Sequence, residues 1–269
     1  MSDTLLEEML SQLEIKPMNE LLGHEQTIAP NVKRLKEGML NIGHLVDPLI
    51  IDKNSGTVLD GNHRLKVLEI IECPHAACQT VDYKSDKIRV GTWLPLYREP
   101  IDQIIKSASM KTENVDYEQG LNAVDNFKAP FMLVKKKNGK KECFLMNPGS
   151  YKIKENIEEQ NFILGAINGT KAYYVPEDTV EEKMQDGDCY LYRRTYTKEE
   201  IVNTAKAHNP LPPKSTRHMI PDRIIRLNMK LGWLHESKEG ATKYLRDMLT
   251  QRVYMGNVRR YTESVIVIY

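Results

Sequence analysis

The chain has 269 residues, 41% of them hydrophobic and 28% charged, with a net charge of +1. These values are ordinary for a soluble globular protein, and no apolar run approaches the ~18 residues that a membrane span needs. The near-neutral balance offers no general attraction for nucleic acid, so any phosphate binding must be local. The opening MSDTLLEEML is acidic where a secretory signal is basic, and the four cysteines, Cys73, Cys78, Cys143 and Cys189, are too scattered for a disulfide framework. Both features predict a cytoplasmic protein. Cys73, His75 and Cys78 lack a second ligand pair at zinc-site spacing and read as reduced thiols around a turn.

Thr4 and Glu7 have capping-box spacing, and Leu5, Leu6, Met9, Leu10 and Leu13 recur at helical intervals, so a short helix is predicted before Pro17. A second helix should begin near Pro30, bury Val32, Leu35, Met39 and Leu40, and end around Gly43. Short strands follow at 49–51 and 57–59, separated by the turn-forming Asn54, Ser55 and Gly56. From Asn62 the period becomes helical, with Leu65, Leu68 and Ile71 on one face and a stop before Pro74. Residues 60–64 therefore join a strand to a helix. Strands are predicted at 78–83 and 88–93, after which Pro95 and Pro100 suggest a closing unit and a boundary near residue 105.

Beyond that point Asn138-Gly139 specifies a tight hairpin between strands 131–136 and 141–146. Residues 110–195 otherwise read as strands, notably at 173–175 and 188–194, and Thr197 with Glu200 caps a helix that must finish by Asn209-Pro210. A polar loop, 211–218, follows. The last stretch adds a helix near 242–252 and an apolar strand at 265–269. The expected fold class is α/β (α+β), with an amino-terminal domain over 1–105, a smaller α+β domain over 106–234 and an extension over 235–269.

The run Asp60, Gly61, Asn62, His63, Arg64 is the most informative in the chain. A glycine lets the backbone approach an anion closely, and the first turn of the following helix presents unpaired N–H groups to it. His63 and Arg64 can add donors, the Arg fork being suited to phosphate, while Asp60 could hold a divalent cation.

These residues, with Pro48-Leu49-Ile50-Ile51 and Val58-Leu59 ahead of them, resemble the ParB/sulfiredoxin nucleotide-binding fold, and within it most closely the free serine kinases. Three further stretches share that likeness: Gly23-His24-Glu25-Gln26, Gly91-Thr92-Trp93-Leu94-Pro95 and Pro213-Lys214-Ser215-Thr216-Arg217-His218. The resemblance implies a kinase that moves a phosphoryl group from ATP or ADP, with Mg²⁺, to the hydroxyl of free L-serine. It implies catalytic roles for Glu25 and Asp60, with Glu25 activating the hydroxyl, and phosphate binding by Gly61, Asn62, His63 and Arg64. Asn62 stands where the family commonly has histidine, which alters the first side-chain donor of the loop. Trp93, Lys214, Ser215, Thr216, Arg217 and His218 are the implied substrate residues. The active site is expected between the first two domains, with no nucleic acid or membrane as partner.

Other kinase classes lack their motifs here: there is no Gly-x-x-x-x-Gly-Lys-[Ser/Thr] loop and no protein-kinase set. Sulfiredoxin would need a cysteine where Asn62 stands. Two alternatives remain at this level: a ParB-like nucleotide-dependent DNA-binding protein, and a kinase for threonine or homoserine, since sequence does not fix a pocket to the nearest methyl group.

Overall fold

The computed structural model describes residues 2–261, so the strand predicted at 265–269 lies outside the described residues. The fold is mixed α/β and divides into two compact units, one of residues 2–22, 28–82 and 223–261, the other of residues 23–27 and 83–222.

In the first unit, Leu13–Pro17 pairs antiparallel with His75–Val81, which runs parallel to Leu49–Asp52, which in turn pairs antiparallel with Thr57–Asp60. The parallel pair requires a crossover, and the strand Thr57–Asp60 with the helix Asn62–Ile70 supplies it. Leu49, Ile50 and Ile51 are all buried, as a central strand covered on both faces demands. The helix Ala29–Ile42 ends on Gly43, whose left-handed φ of 69° lets its N–H reach Met39 O at 2.9 Å. Val32 and Met39 are buried as predicted, but Leu40 is 52% exposed, because the apolar stripe of this helix is narrower than its period suggested. Thr4 lies within the helix Ser2–Gln12 rather than capping it.

Residues 235–254, set apart as an extension in the sequence, contribute to the core of this first unit. Ser237 caps the helix Lys238–Tyr254 through Gly240 N–H at 3.1 Å, and Ala241, Leu245, Met248 and Leu249 pack in one cluster with Met9, Leu13, Ala76 and Ala77. Burying four such side chains is worth roughly 1.5–3 kcal/mol for each of the larger ones, ample to dock a terminal helix.

The second unit is built on a six-stranded antiparallel sheet in the order Ala172–Pro176, Trp93–Tyr97, Cys189–Tyr192, Phe131–Lys137, Lys140–Met146, Thr112–Val115. Alternation sorts its side chains to two faces. Leu94, Leu96, Met132, Val134 and Tyr190 enter one apolar cluster, and Tyr97, Phe131, Leu133 and Leu191 enter another. The predicted hairpin is present, with Asn138 and Gly139 both at positive φ, 52° and 72°. Three features differ from expectation. Residues 110–195 also hold the helices Tyr117–Asp125 and Ile153–Ala166, which cover the two sheet faces. The predicted strand 88–93 is two strands, Arg89–Gly91 and Trp93–Tyr97, in different sheets. Pro95 lies inside the second of these rather than closing a unit, at a point where the ladder to Cys189–Tyr192 has already ended at Leu96.

Candidate active site

The 60–64 loop belongs to the first unit. Thr57–Asp60 runs straight into Gly61, whose φ of 101° turns the chain into the helix Asn62–Ile70. A β-carbon on Gly61 would sit 2.8 Å from Leu49 Cδ2 and 3.0 Å from Arg64 Nε, so both conformation and space require glycine. Arg64 Nη1 donates to Pro48 O at 2.8 Å and Nη2 to Asp60 Oδ2 at 2.6 Å. Arg223 Nη2 donates to the same carboxylate oxygen at 2.5 Å. Asp60 thus clasps two guanidinium groups at the start of a helix, where the backbone dipole is positive. His63 Nε2 accepts the Ile28 N–H at 3.1 Å, which places the proton of the neutral ring on Nδ1. Asn62 is buried and its Nδ2 donates back to Val58 O at 3.3 Å.

The second unit holds Glu25. The segment around it is anchored by the main chain: Gln26 N–H donates to Leu211 O and Leu211 N–H to His24 O, both at 2.8 Å. These bonds lay the carboxylate against the 212–216 turn. Glu25 Oε1 accepts the Ser215 N–H at 2.9 Å and Oε2 accepts the Thr216 hydroxyl at 3.2 Å. Because that hydroxyl gives its proton to Glu25, it accepts from His24 Nε2 at 2.8 Å. Burial pushes the Glu25 carboxyl up to about 7, against the pull of the Lys214 charge, the Ser215 amide, Arg193 and the Thr216 hydroxyl. A carboxyl so placed takes and returns a proton near neutrality.

The rest of the 213–218 segment divides. Lys214 adopts a left-handed φ of 60°, a conformation that costs a non-glycine residue on the order of 1 kcal/mol. Thr92 Oγ1 donates to Ser215 O at 3.0 Å and thereby ties the turn to the start of the sheet. Arg217–Met219 pairs antiparallel with Arg89–Gly91. His218 Nε2 lies 2.7 Å from the Tyr83 hydroxyl, with its ring edge-on to His24 at 5.3 Å. Arg217 Nη1 contacts both oxygens of Asp178 at 3.1 Å and its guanidinium sits 5.6 Å over the Trp93 ring. Of the residues singled out by sequence, Glu25, Lys214, Ser215, Thr216 and His218 therefore gather in one place. Trp93 and Arg217 pair with each other, and Arg217 with Asp178.

Three contributors escaped the sequence reading: His24, Arg193 and Arg223. His24 stands in the Gly23-His24-Glu25-Gln26 stretch, yet its contact is with Thr216, far along the chain. Arg193 and Arg223 carry no local signal. Each is one cation among 38 until the fold brings it to Ser215 or Asp60.

No family model matches the chain. It is 23% identical over 227 residues to the ADP-dependent L-serine kinase SerK of Thermococcus kodakarensis, covering 80% of this chain and 89% of that protein. The ATP-dependent L-serine kinase of Staphylothermus marinus is 26% identical over 221 residues, 76% of this chain and 84% of the relative. A solved free serine kinase in complex with AMP superposes with a TM-score of 0.70 at 21% identity, over 83% of this chain and 93% of that one. The chain is similar over most of its length to free serine kinases.

No group of three His, Cys, Asp or Glu side chains among the described residues could by itself hold a metal ion. Cys73 instead lies 3.3 Å from His235 Nε2, and burial pushes its thiol up to about 11, so it stays protonated at neutral pH. No helix among the described residues is long and apolar enough to cross a membrane.

Proposed function

We propose that this protein transfers the terminal phosphoryl group of a nucleotide to the hydroxyl of free L-serine, giving O-phospho-L-serine, with Glu25 as the base that accepts the hydroxyl proton. The observation that carries this reading is a buried carboxylate held by the Ser215 N–H and the Thr216 hydroxyl, where burial pushes it up to about 7. An aliphatic hydroxyl is a poor nucleophile, and a carboxylate of this kind both orients it and takes its proton as the new P–O bond forms. Burial makes it a stronger base than an ordinary exposed glutamate.

The unit that carries the 60–64 loop is read as the ParB/sulfiredoxin-like nucleotide-binding domain. Gly61, the first amides of the helix Asn62–Ile70, His63 and Arg64 would face the phosphates, with Asn62 supporting the turn from within. ATP and ADP present the same terminal group to such a cradle. Mg²⁺ would enter with the nucleotide and offset phosphate charge. Asp60 would offer it Oδ1, since Oδ2 is held by Arg64 and Arg223, and the phosphates would supply the harder part of the shell.

The other unit would bind the amino acid. Lys214 adds positive charge beside Glu25, and Thr216 and His218 supply hydrogen bonds; Arg217 with Trp93 would flank the substrate. Free serine brings a carboxylate and an ammonium that must both be satisfied, which sets it apart from simple alcohols.

Phosphorus NMR of the protein with serine, Mg²⁺ and each nucleotide tests the proposal directly. O-phosphoserine should appear with at least one donor, and a parallel panel with threonine and homoserine should give slower turnover. Absence of phosphoserine with both ATP and ADP would end the reading, and faster turnover of threonine or homoserine would reassign the acceptor.

A further inference from the structure

Arg193 is among the largest fully buried side chains of the described residues. It follows the strand Cys189–Tyr192, and its Nη1 donates to Ser215 Oγ at 2.6 Å and only marginally to Pro213 O at 3.5 Å. Nε and Nη2 have no hydrogen-bond partner, and no carboxylate of the described residues lies within ion-pair distance. The face of the Phe131 ring, 5.2 Å from the guanidinium, is partial compensation. A cation buried with two of its three nitrogens unsatisfied is costly to keep, and an apolar side chain of similar volume would pack there without that cost. Folding alone gives no reason for it.

The one strong contact it makes leads to the base. Ser215 Oγ donates its proton to Pro212 O at 2.7 Å, so it can only accept from Arg193, and the directions of both bonds are fixed. The N–H of the same residue is the donor that grips Glu25 Oε1. We propose that Arg193 is a positioning residue of the phosphoryl transfer: it holds Ser215, and through Ser215 the carboxylate of Glu25, in the place and charge state that accept the serine proton.

This inference rests on the reading of Glu25 as the base. Four titratable or charged groups face that carboxylate. His24 comes from its own segment, with Nε2 4.0 Å from Oε2; Lys214 comes from the 213–218 segment, Tyr174 from the strand Ala172–Pro176, and Arg193 from beyond Cys189–Tyr192. His24 is spent on Thr216, and Tyr174, its hydroxyl pushed up by burial, is neutral near pH 7. Lys214 is only partly buried. Arg193 is the cation that cannot leave. It opposes the burial that would otherwise keep Glu25 protonated, and it does so whether or not the site is filled.

The test is the pH profile of kcat/KM for serine in the parent, Arg193→Met, Arg193→Lys and Ser215→Ala, each checked for folding by thermal melting. Arg193→Met should move the acid limb up by roughly one unit or more, the scale of a lost nearby charge, and lower kcat at neutral pH by about 10-fold or more. Arg193→Lys, which keeps the charge without the fork, should restore much of the limb while kcat stays reduced. Ser215→Ala should lower kcat with KM for nucleotide unchanged. Folded Arg193→Met and Ser215→Ala proteins with the parent's kcat and acid limb would overturn the proposal. If Arg193→Met does not fold, parental kcat in Ser215→Ala overturns it alone. A parent that makes no phosphoserine, or a fully active Glu25→Gln, would instead remove the base itself. A Glu25-dependent enzyme indifferent to Arg193 and Ser215 removes only the positioning role.

Discussion

Glu25→Gln preserves the shape of the side chain and removes its ionisation, and the two consequences should point in opposite directions. The carboxyl titrates at about 7 in the folded protein against an ordinary value of 4.5, because burial disfavours its charged form. Below pH 4.5 both folded and unfolded states hold the proton and the shift contributes nothing. Between 4.5 and 7 the unfolded chain releases its proton first, so stability falls as pH rises, and above 7 the full cost is present. At 1.36 kcal/mol per unit that cost is roughly 3 kcal/mol. Glutamine escapes it but disturbs the hydrogen bond from Thr216, worth about 1 kcal/mol. The variant should therefore be more stable than the parent at pH 8 by about 2 kcal/mol, raising Tm by roughly 2–4 °C per kcal/mol, with the gain gone by pH 5. Its turnover should fall by ~10²- to 10⁴-fold, the range of general-base loss. Calorimetric melts at the two pH values, with phosphoserine formation followed in parallel, read both effects. A variant less stable than the parent at pH 8 would refute the account of the buried charge, and near-parental turnover would refute Glu25 as base.

Arg64→Ala should weaken nucleotide binding by ~1.5–3 kcal/mol in isothermal titration, as expected for hydrogen bonds lost to charged phosphate, and parental affinity would show that the 60–64 loop is only a strand-to-helix turn. Arg217→Ala should raise KM for serine far more than KM for nucleotide if the guanidinium binds the amino acid equally in ground and transition states. A fall in kcat would place it on the transferring phosphoryl group, and no change in either would confine it to its pairing with Asp178 and Trp93.

Where a local rule governs an element, the sequence made it legible. Asn138-Gly139 specifies its hairpin because only residues tolerant of positive φ turn the chain with the twist of the strands. The Thr197 and Glu200 pair caps its helix reciprocally, with bonds of 3.2 and 2.8 Å. The helix Ile153–Ala166 was not legible, because it packs with Asn156 and Gln160 buried beside Ile157 and Ile163, which blurs the apolar stripe by which a helix is recognised. Pro95 misled for a related reason. A proline breaks a strand only where its missing N–H is needed, and that depends on a neighbour, Cys189–Tyr192, ninety-odd positions away.

The candidate site shows the same division more sharply. The 60–64 loop was readable as a strand-to-helix turn because a glycine after a strand and before a helix has a local meaning. Glu25 was readable only by resemblance, since its chemistry comes from Ser215, 190 residues on. The same holds for Asp60. Its sequence context suggested a cation ligand, and its partners turn out to be two arginines, one four residues away and one 163 residues away. The second bond changes what the carboxylate has left to offer: Oδ2 is taken twice, and the two guanidiniums are held beside the helix start. An arginine fixed by a carboxylate loses less side-chain entropy when a phosphate arrives than a free one would, so under the proposed function the Asp60 clasp would lower the ordering cost of phosphate binding, while its own negative charge would offset part of the attraction.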